Sequence, residues 1–131
     1  MNFNFKDFYQ IKSDVSQKKI YRCKNLSEKK ILVDFSYNHS DYVSYLEVNS
    51  FLSNINISVP KIFETDESLN LIFMEDFGNS RYDSLIKNIE IKDFLLDSIN
   101  SLIEIQNTNQ TITKYNLKRY NFSTFIKEIS E

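Results

Sequence analysis

One glycine, Gly78, and one proline, Pro60, in 131 residues limit how this chain can turn. Glycine reaches left-handed backbone without steric cost and proline presets a turn, so almost every reversal here must be built from Asn, Asp, Ser and Lys. Segment boundaries are therefore read from polar clusters. The chain has 16 Ile and 15 Asn but neither Ala nor Trp. Ile, Phe and Asn fill helix positions that Ala would normally occupy, which weakens propensity and leaves periodicity as the main signal.

Phe3, Phe5, Phe8, Tyr9 and Ile11 predict a short N-terminal helix, closed by the polar segment 12–19. Residues 20–23 and 31–35 are short apolar runs separated by a polar loop, which predicts a β-hairpin. With Ser40 as N-cap and Asp41 in the first turn, Val43, Leu46, Val48, Phe51 and Leu52 recur at helical spacing and predict a helix over 41–54. Pro60 forces Val59 toward extended geometry, and residues 61–65 and 69–75 then predict a second hairpin around Asp66, Glu67 and Ser68. After Gly78 the pattern turns helical, weakly over 82–87 and strongly over 91–106. Phe122, Phe125, Ile126 and Ile129 form a further apolar stripe, still running near the last residue, which reads as a cut fragment able to self-associate. The expected class is α+β, a small antiparallel sheet with one packed helix, followed by helices.

Several functions are excluded at this level. The longest apolar run is 71–74, far short of the roughly 20 residues that cross a bilayer, and residues 1–7 lack the basic-then-apolar order of a signal peptide. A cytoplasmic protein without membrane contact is expected. Sixteen basic and 18 acidic residues are interspersed, which argues against a nucleic-acid binder. Cys23 and His39 are the only residues of their kinds, too few for a disulfide or a Cys/His zinc site. Asp76 beside Glu75 is not a catalytic acid pair, because neighbours in an extended strand point to opposite faces.

Four segments, in order, carry a resemblance. Asp14-Val15-Ser16-Gln17-Lys18-Lys19-Ile20-Tyr21-Arg22 is similar to the D-x-S-x-R-R-Y-x-R segment of bacterial aminoglycoside-phosphotransferase-like kinases, and Ile31-Leu32-Val33-Asp34 to their V-L-M-D strand. Ile57-Ser58-Val59-Pro60 resembles G-x-x-V-P before their next hairpin, and Met74-Glu75-Asp76-Phe77-Gly78 resembles their L-E-D-L-G linker. The similarity spans about residues 13–128, roughly the first third of a family member, and looks closest to the N-acetylmuramate/N-acetylglucosamine 1-kinase branch. It implies a protein-kinase-like N-lobe that binds ATP over residues 1–76, and a linker with the start of a helical C-lobe over 77–131.

The resemblance also implies roles. Ser16, Lys18 and Lys19 would face the ATP phosphates, Glu47 would stand where a helix carboxylate usually pairs with a strand lysine, and Glu75 and Phe77 would meet the adenine at the linker. The strand lysine itself falls near Val33 or Asp34, neither of which can serve, so Lys18 or Lys19 would substitute. Phosphoryl transfer needs an acceptor-orienting Asp and Mg2+ ligands. The family places these in the larger lobe, beyond the residues matched here. The expected function is the nucleotide-binding portion of a phosphotransferase acting on a sugar or aminoglycoside-type hydroxyl, inactive alone. A short, non-catalytic binding or regulatory module of the same fold, and an unrelated α+β interaction protein, are the alternatives.

Overall fold

The computed structural model describes residues 5–11, 17–79, 91–108, 115 and 121–129. Strands β1 (Phe8–Ile11), β2 (Lys19–Cys23) and β3 (Lys30–Asp34) precede helix α1 (His39–Asn54), and β4 (Ile62–Asp66) and β5 (Leu71–Glu75) follow it. They form one five-stranded sheet in the order β1-β2-β3-β5-β4, antiparallel at every step. Both predicted hairpins are present, and the molecule is α+β.

Strand alternation divides the sheet's side chains between two faces. Ile20, Ile31, Val33, Ile72 and Met74 point to the face that α1 covers with Tyr42, Tyr45 and Leu46. Leu32, Leu71 and Phe73 point to the other, where Phe8 and Tyr21 pack against them. Each large apolar side chain so buried contributes about 1.5–3 kcal/mol. β3 and β5 are buried on both faces, which is why their sequences read as continuous apolar runs rather than alternating ones.

The N-terminal segment departs from expectation. Phe5–Asp7 is a single 3-10 turn, and Phe8, Tyr9 and Ile11, which predicted a helix, form edge strand β1 instead; Phe3 lies outside the described residues. Phe8 pairs with Cys23 and Ile11 with Ile20, and the Phe8 ring meets Phe73 edge-on at 6.3 Å. Aromatic and β-branched residues prefer a half-buried pleated surface, and β2 offered an open edge. Lys24 N–H donates to the Asp7 carbonyl at 2.8 Å and closes this corner.

Helix α1 begins two residues before its predicted start. Asn38, not Ser40, is the N-cap, accepting from the Ser40 N–H at 2.9 Å. Either residue type can cap; Asn38 takes the place because it holds extended backbone, whereas Ser40 is already helical. With glycine scarce, Lys29, Asn56 and Asn70 take positive φ at turns, and Gly78 does so after β5.

Helix α2 (Ile91–Asn107) matches the strong prediction for 91–106, and α3 (Phe122–Ile129) carries the apolar stripe. The weak prediction over 82–87 lies outside the described residues. No helix among the described residues is long and apolar enough to cross a membrane.

Candidate functional site

A connected polar group centres on Arg22, near the end of β2 on the sheet's α1 face. Alternation along β2 puts Arg22 on the same side as Ile20, and alternation past β5 puts Asp76 on the same side as Met74. The two meet: Arg22 Nε stands 2.6 Å from Asp76 Oδ2, and Nη2 donates to Asp76 Oδ1 at 3.0 Å. Nη2 also donates to the Gly78 carbonyl at 3.0 Å, and Nη1 to Asn79 Oδ1 at 2.8 Å. Tyr9 stands opposite Arg22 on β1. Hydrogen bonding to Asp76 raises the guanidinium pKa above its ordinary value; burial partly opposes this. Both side chains are 12% exposed, so the pair is largely withdrawn from solvent.

Asp76 works twice. Its Oδ1 also accepts from the Gly78 N–H at 2.8 Å, which folds residues 76–78 into a tight turn, and Gly78 at φ 75° occupies backbone open to glycine without strain. The Asp76 N–H donates to the Lys29 carbonyl at 2.8 Å. Beside this network lies an open cleft of about 350 Å³, lined by Arg22, Asp76, Phe77, Asn25, Lys29 and Lys30 among others.

The six residues singled out from the sequence are distributed unevenly around this frame. Phe77 is 55% exposed and lines the cleft. Glu75 is on the sheet face away from α1, where its Oε2 accepts from the Lys61 N–H at 3.3 Å; it ties the end of β5 to the start of β4. Lys18 lies in a groove of about 300 Å³ with Phe35, Tyr37, Asp41 and Tyr45, on the α1 side. Lys19, the first residue of β2, alternates to the Tyr21 side and is exposed, so the two lysines are split between faces. Glu47 is turned away from the sheet. At about 100° per residue it is rotated by roughly 100° or more from each of Tyr42, Tyr45, Leu46 and Asn49, the residues that α1 turns toward the sheet and the chain beside it. Ser16 lies outside the described residues.

Lys18 thus lies just before the start of β2 and Phe77 beside the cleft at its other end; Arg22, which shares that cleft, is four residues from Lys18, roughly 13 Å at the usual strand rise. The sequence reading missed Arg22 and Asp76 as partners. Each stood inside a quoted segment, and opposite charges in two such segments were the available signal.

The only histidine is exposed, with Nδ1 2.7 Å from Asn70 Oδ1 and its ring stacked on Tyr42. Cys23 is a free, buried thiol. Among the described residues, no three His, Cys, Asp or Glu side chains group closely enough to hold a metal ion. Comparison of the chain with known protein families, curated proteins and solved structures yields no match.

Proposed function

We propose that the chain is the nucleotide-binding, N-lobe-like portion of an ATP-dependent phosphotransferase whose acceptor is a hydroxyl of a sugar or aminoglycoside-type small molecule. The observation that carries the reading is architectural. A three-strand meander, one helix on one face, a second hairpin and then a linker turned by Gly78 follow in the order that the four motif segments imply. ATP would lie along the α1 face, its base toward Phe77 and the linker, its phosphates toward Lys18. The Lys18–Arg22 spacing along β2, roughly 13 Å, is comparable with the length of an extended nucleoside triphosphate.

The reading changes the weight of individual residues. Lys18, on the α1 side, is the better phosphate contact, and Lys19 contributes only long-range charge. Glu47 has no part in the clamp. Glu75 acts through the linker backbone that its carboxylate ties to Lys61. Mg2+ would accompany the nucleotide, but no carboxylate cluster among the described residues fits it, so no step is assigned to it.

Titration with MgATP tests the proposal. The wild-type chain is expected to bind, and Lys18→Ala to weaken binding about tenfold, since a hydrogen bond to a charged group contributes roughly 1.5–3 kcal/mol. Lys19→Ala and Glu75→Ala should each change affinity by less than about threefold, the limit of a screened or indirect effect. No binding by the wild type, or a neutral double variant Lys18→Ala/Lys19→Ala beside a dead Glu75→Ala, would overturn the reading.

A further inference from the structure

We infer that Arg22 is a positioning residue: it latches the 76–79 turn to the end of β2 and so holds the wall of the adjoining cleft in the shape that receives a ligand. The inference about the ligand rests on the nucleotide reading above; the latch itself does not.

The argument starts from the number of acceptors. A guanidinium has five N–H donors in a rigid fork; Nη1 and Nη2 of Arg22 donate to Asp76 Oδ1, the Gly78 carbonyl and the Asn79 side chain, while Nε makes a close ion-pair contact with Asp76 Oδ2 outside hydrogen-bond geometry. Three of those four groups belong to residues 76, 76 and 78, and the fourth to residue 79, so one side chain from β2 grips a single turn that lies more than fifty residues away in sequence. A stabilising role alone would not need this arrangement. A largely buried ion pair contributes little net stability against an apolar pair of similar volume, because desolvation offsets the attraction. What it supplies is geometry: directional bonds permit one placement of the turn where an apolar contact would permit several.

That placement matters because the same four residues, Arg22, Asp76, Gly78 and Asn79, line the cleft of about 350 Å³, with the exposed Phe77 ring between two latched neighbours. Phe77 is more than half exposed, so its position depends largely on that of Asp76 and Gly78. The turn is anchored on its other side by the Asp76 N–H donating to the Lys29 carbonyl. If Arg22 lets go, this single backbone bond and the Asp76–Gly78 contact remain, and the turn can swing about Gly78.

Amide hydrogen exchange on the full chain, with the melting temperature measured alongside, tests the latch. Three variants are compared: Arg22→Lys, which keeps the charge but not the fork; Asp76→Asn, which keeps the shape; and Asn79→Ala, which removes one exposed acceptor without touching the core. Exchange over 76–79 should accelerate about tenfold in Arg22→Lys and less in Asn79→Ala, while β5 amides and the melting temperature stay close to wild type. A general loss of stability would instead speed exchange throughout the sheet, and that outcome overturns the positioning role, as does unchanged protection of the turn in Arg22→Lys.

MgATP titration of the same variants reads the consequence. Affinity should fall at least fivefold in Arg22→Lys and Asp76→Asn and less in Asn79→Ala. A loosened turn with wild-type affinity would sink the inference. If the wild type itself binds no MgATP, the nucleotide reading fails, and the exchange results alone decide whether Arg22 holds the turn.

Discussion

Tyr45 and Arg22 show two ways of placing a polar atom beside the α1 core. Arg22 surrounds its charge with acceptors, whereas the Tyr45 hydroxyl meets, among the described residues, a weak partner, the Met74 sulfur at 3.3 Å. Burial pushes the Tyr45 phenol above its ordinary value. A raised folded pKa means stability that is fully present below the unfolded value, near 10, and is lost as pH rises through the folded one. Tyr45→Phe is therefore expected to change stability by no more than about 1 kcal/mol at pH 7 and to flatten the alkaline loss above pH ~10. Urea unfolding at pH 7 and at pH 10.5 checks it. An unchanged alkaline limb would place the cost on another group. At this scale the sequence was only partly legible. Glu47 looked suitable because it is acidic and mid-helix, and Val43 and Phe51, four residues to either side, share its flank; only the packing of Tyr42, Tyr45 and Leu46 against the sheet shows that flank to be turned away from it. The Arg22–Asp76 pair could not be read from periodicity at all, because strand alternation puts each on a face only after the register of two strands is known.

The elements were more legible than their ends. Alternation and polar clusters suffice for the two hairpins, since β2, β3, β4 and β5 carry their own pattern. β1 was misread because Phe8, Tyr9 and Ile11 suit either a helix turn or a strand, and pairing with β2 decided between them. The helix start was misplaced for a smaller reason: Asn38 and Ser40 both belong to the capping set. Asn38→Ala should cost about 1 kcal/mol and Ser40→Ala less than half of that, measured as shifts in urea midpoint. Equal costs would restore Ser40 as the cap. The β4–β5 turn provides a pH test. Asp66 Oδ1 accepts from the Ser68 hydroxyl at 2.6 Å and the Leu69 N–H at 3.2 Å, and the Ser68 bond lowers its pKa. A lowered folded pKa gives stability present above the unfolded value, near 4, and lost as pH falls through the folded one. Asp66→Ala should thus lower the urea midpoint at pH 7 and leave it unchanged at pH 2. Equal loss at both would mean that the carboxylate charge has no role in the turn.

At the scale of the whole molecule, the sheet with α1 buries its apolar faces, but α2 and α3 do not. Leu95, Leu96, Ile99, Leu102 and Ile103 on α2, and Phe122, Phe125, Ile126 and Ile129 on α3, are each between 42% and 77% exposed. The order of elements was legible because each carries its own period. What covers these two helices was not, since a periodic stripe marks a face without naming its occupant. Monomeric proteins rarely expose contiguous apolar patches beyond a few hundred Å². Covering a half-exposed Leu or Ile gains roughly 1 kcal/mol, so nine such side chains are together comparable with the ~4–15 kcal/mol cost of association. The two terms nearly cancel, which makes association weak and steeply dependent on concentration rather than obligate. Sedimentation velocity over a hundredfold concentration range should show a rising average mass for the wild type. Leu102→Lys combined with Phe125→Lys, which replaces two exposed side chains with charges at no cost to the sheet, should hold the chain at 15.6 kDa throughout. A wild type that stays monomeric across the range would show that the exposed faces do not drive association, and a variant that still associates would move the contact to another surface, such as the open edge of β1.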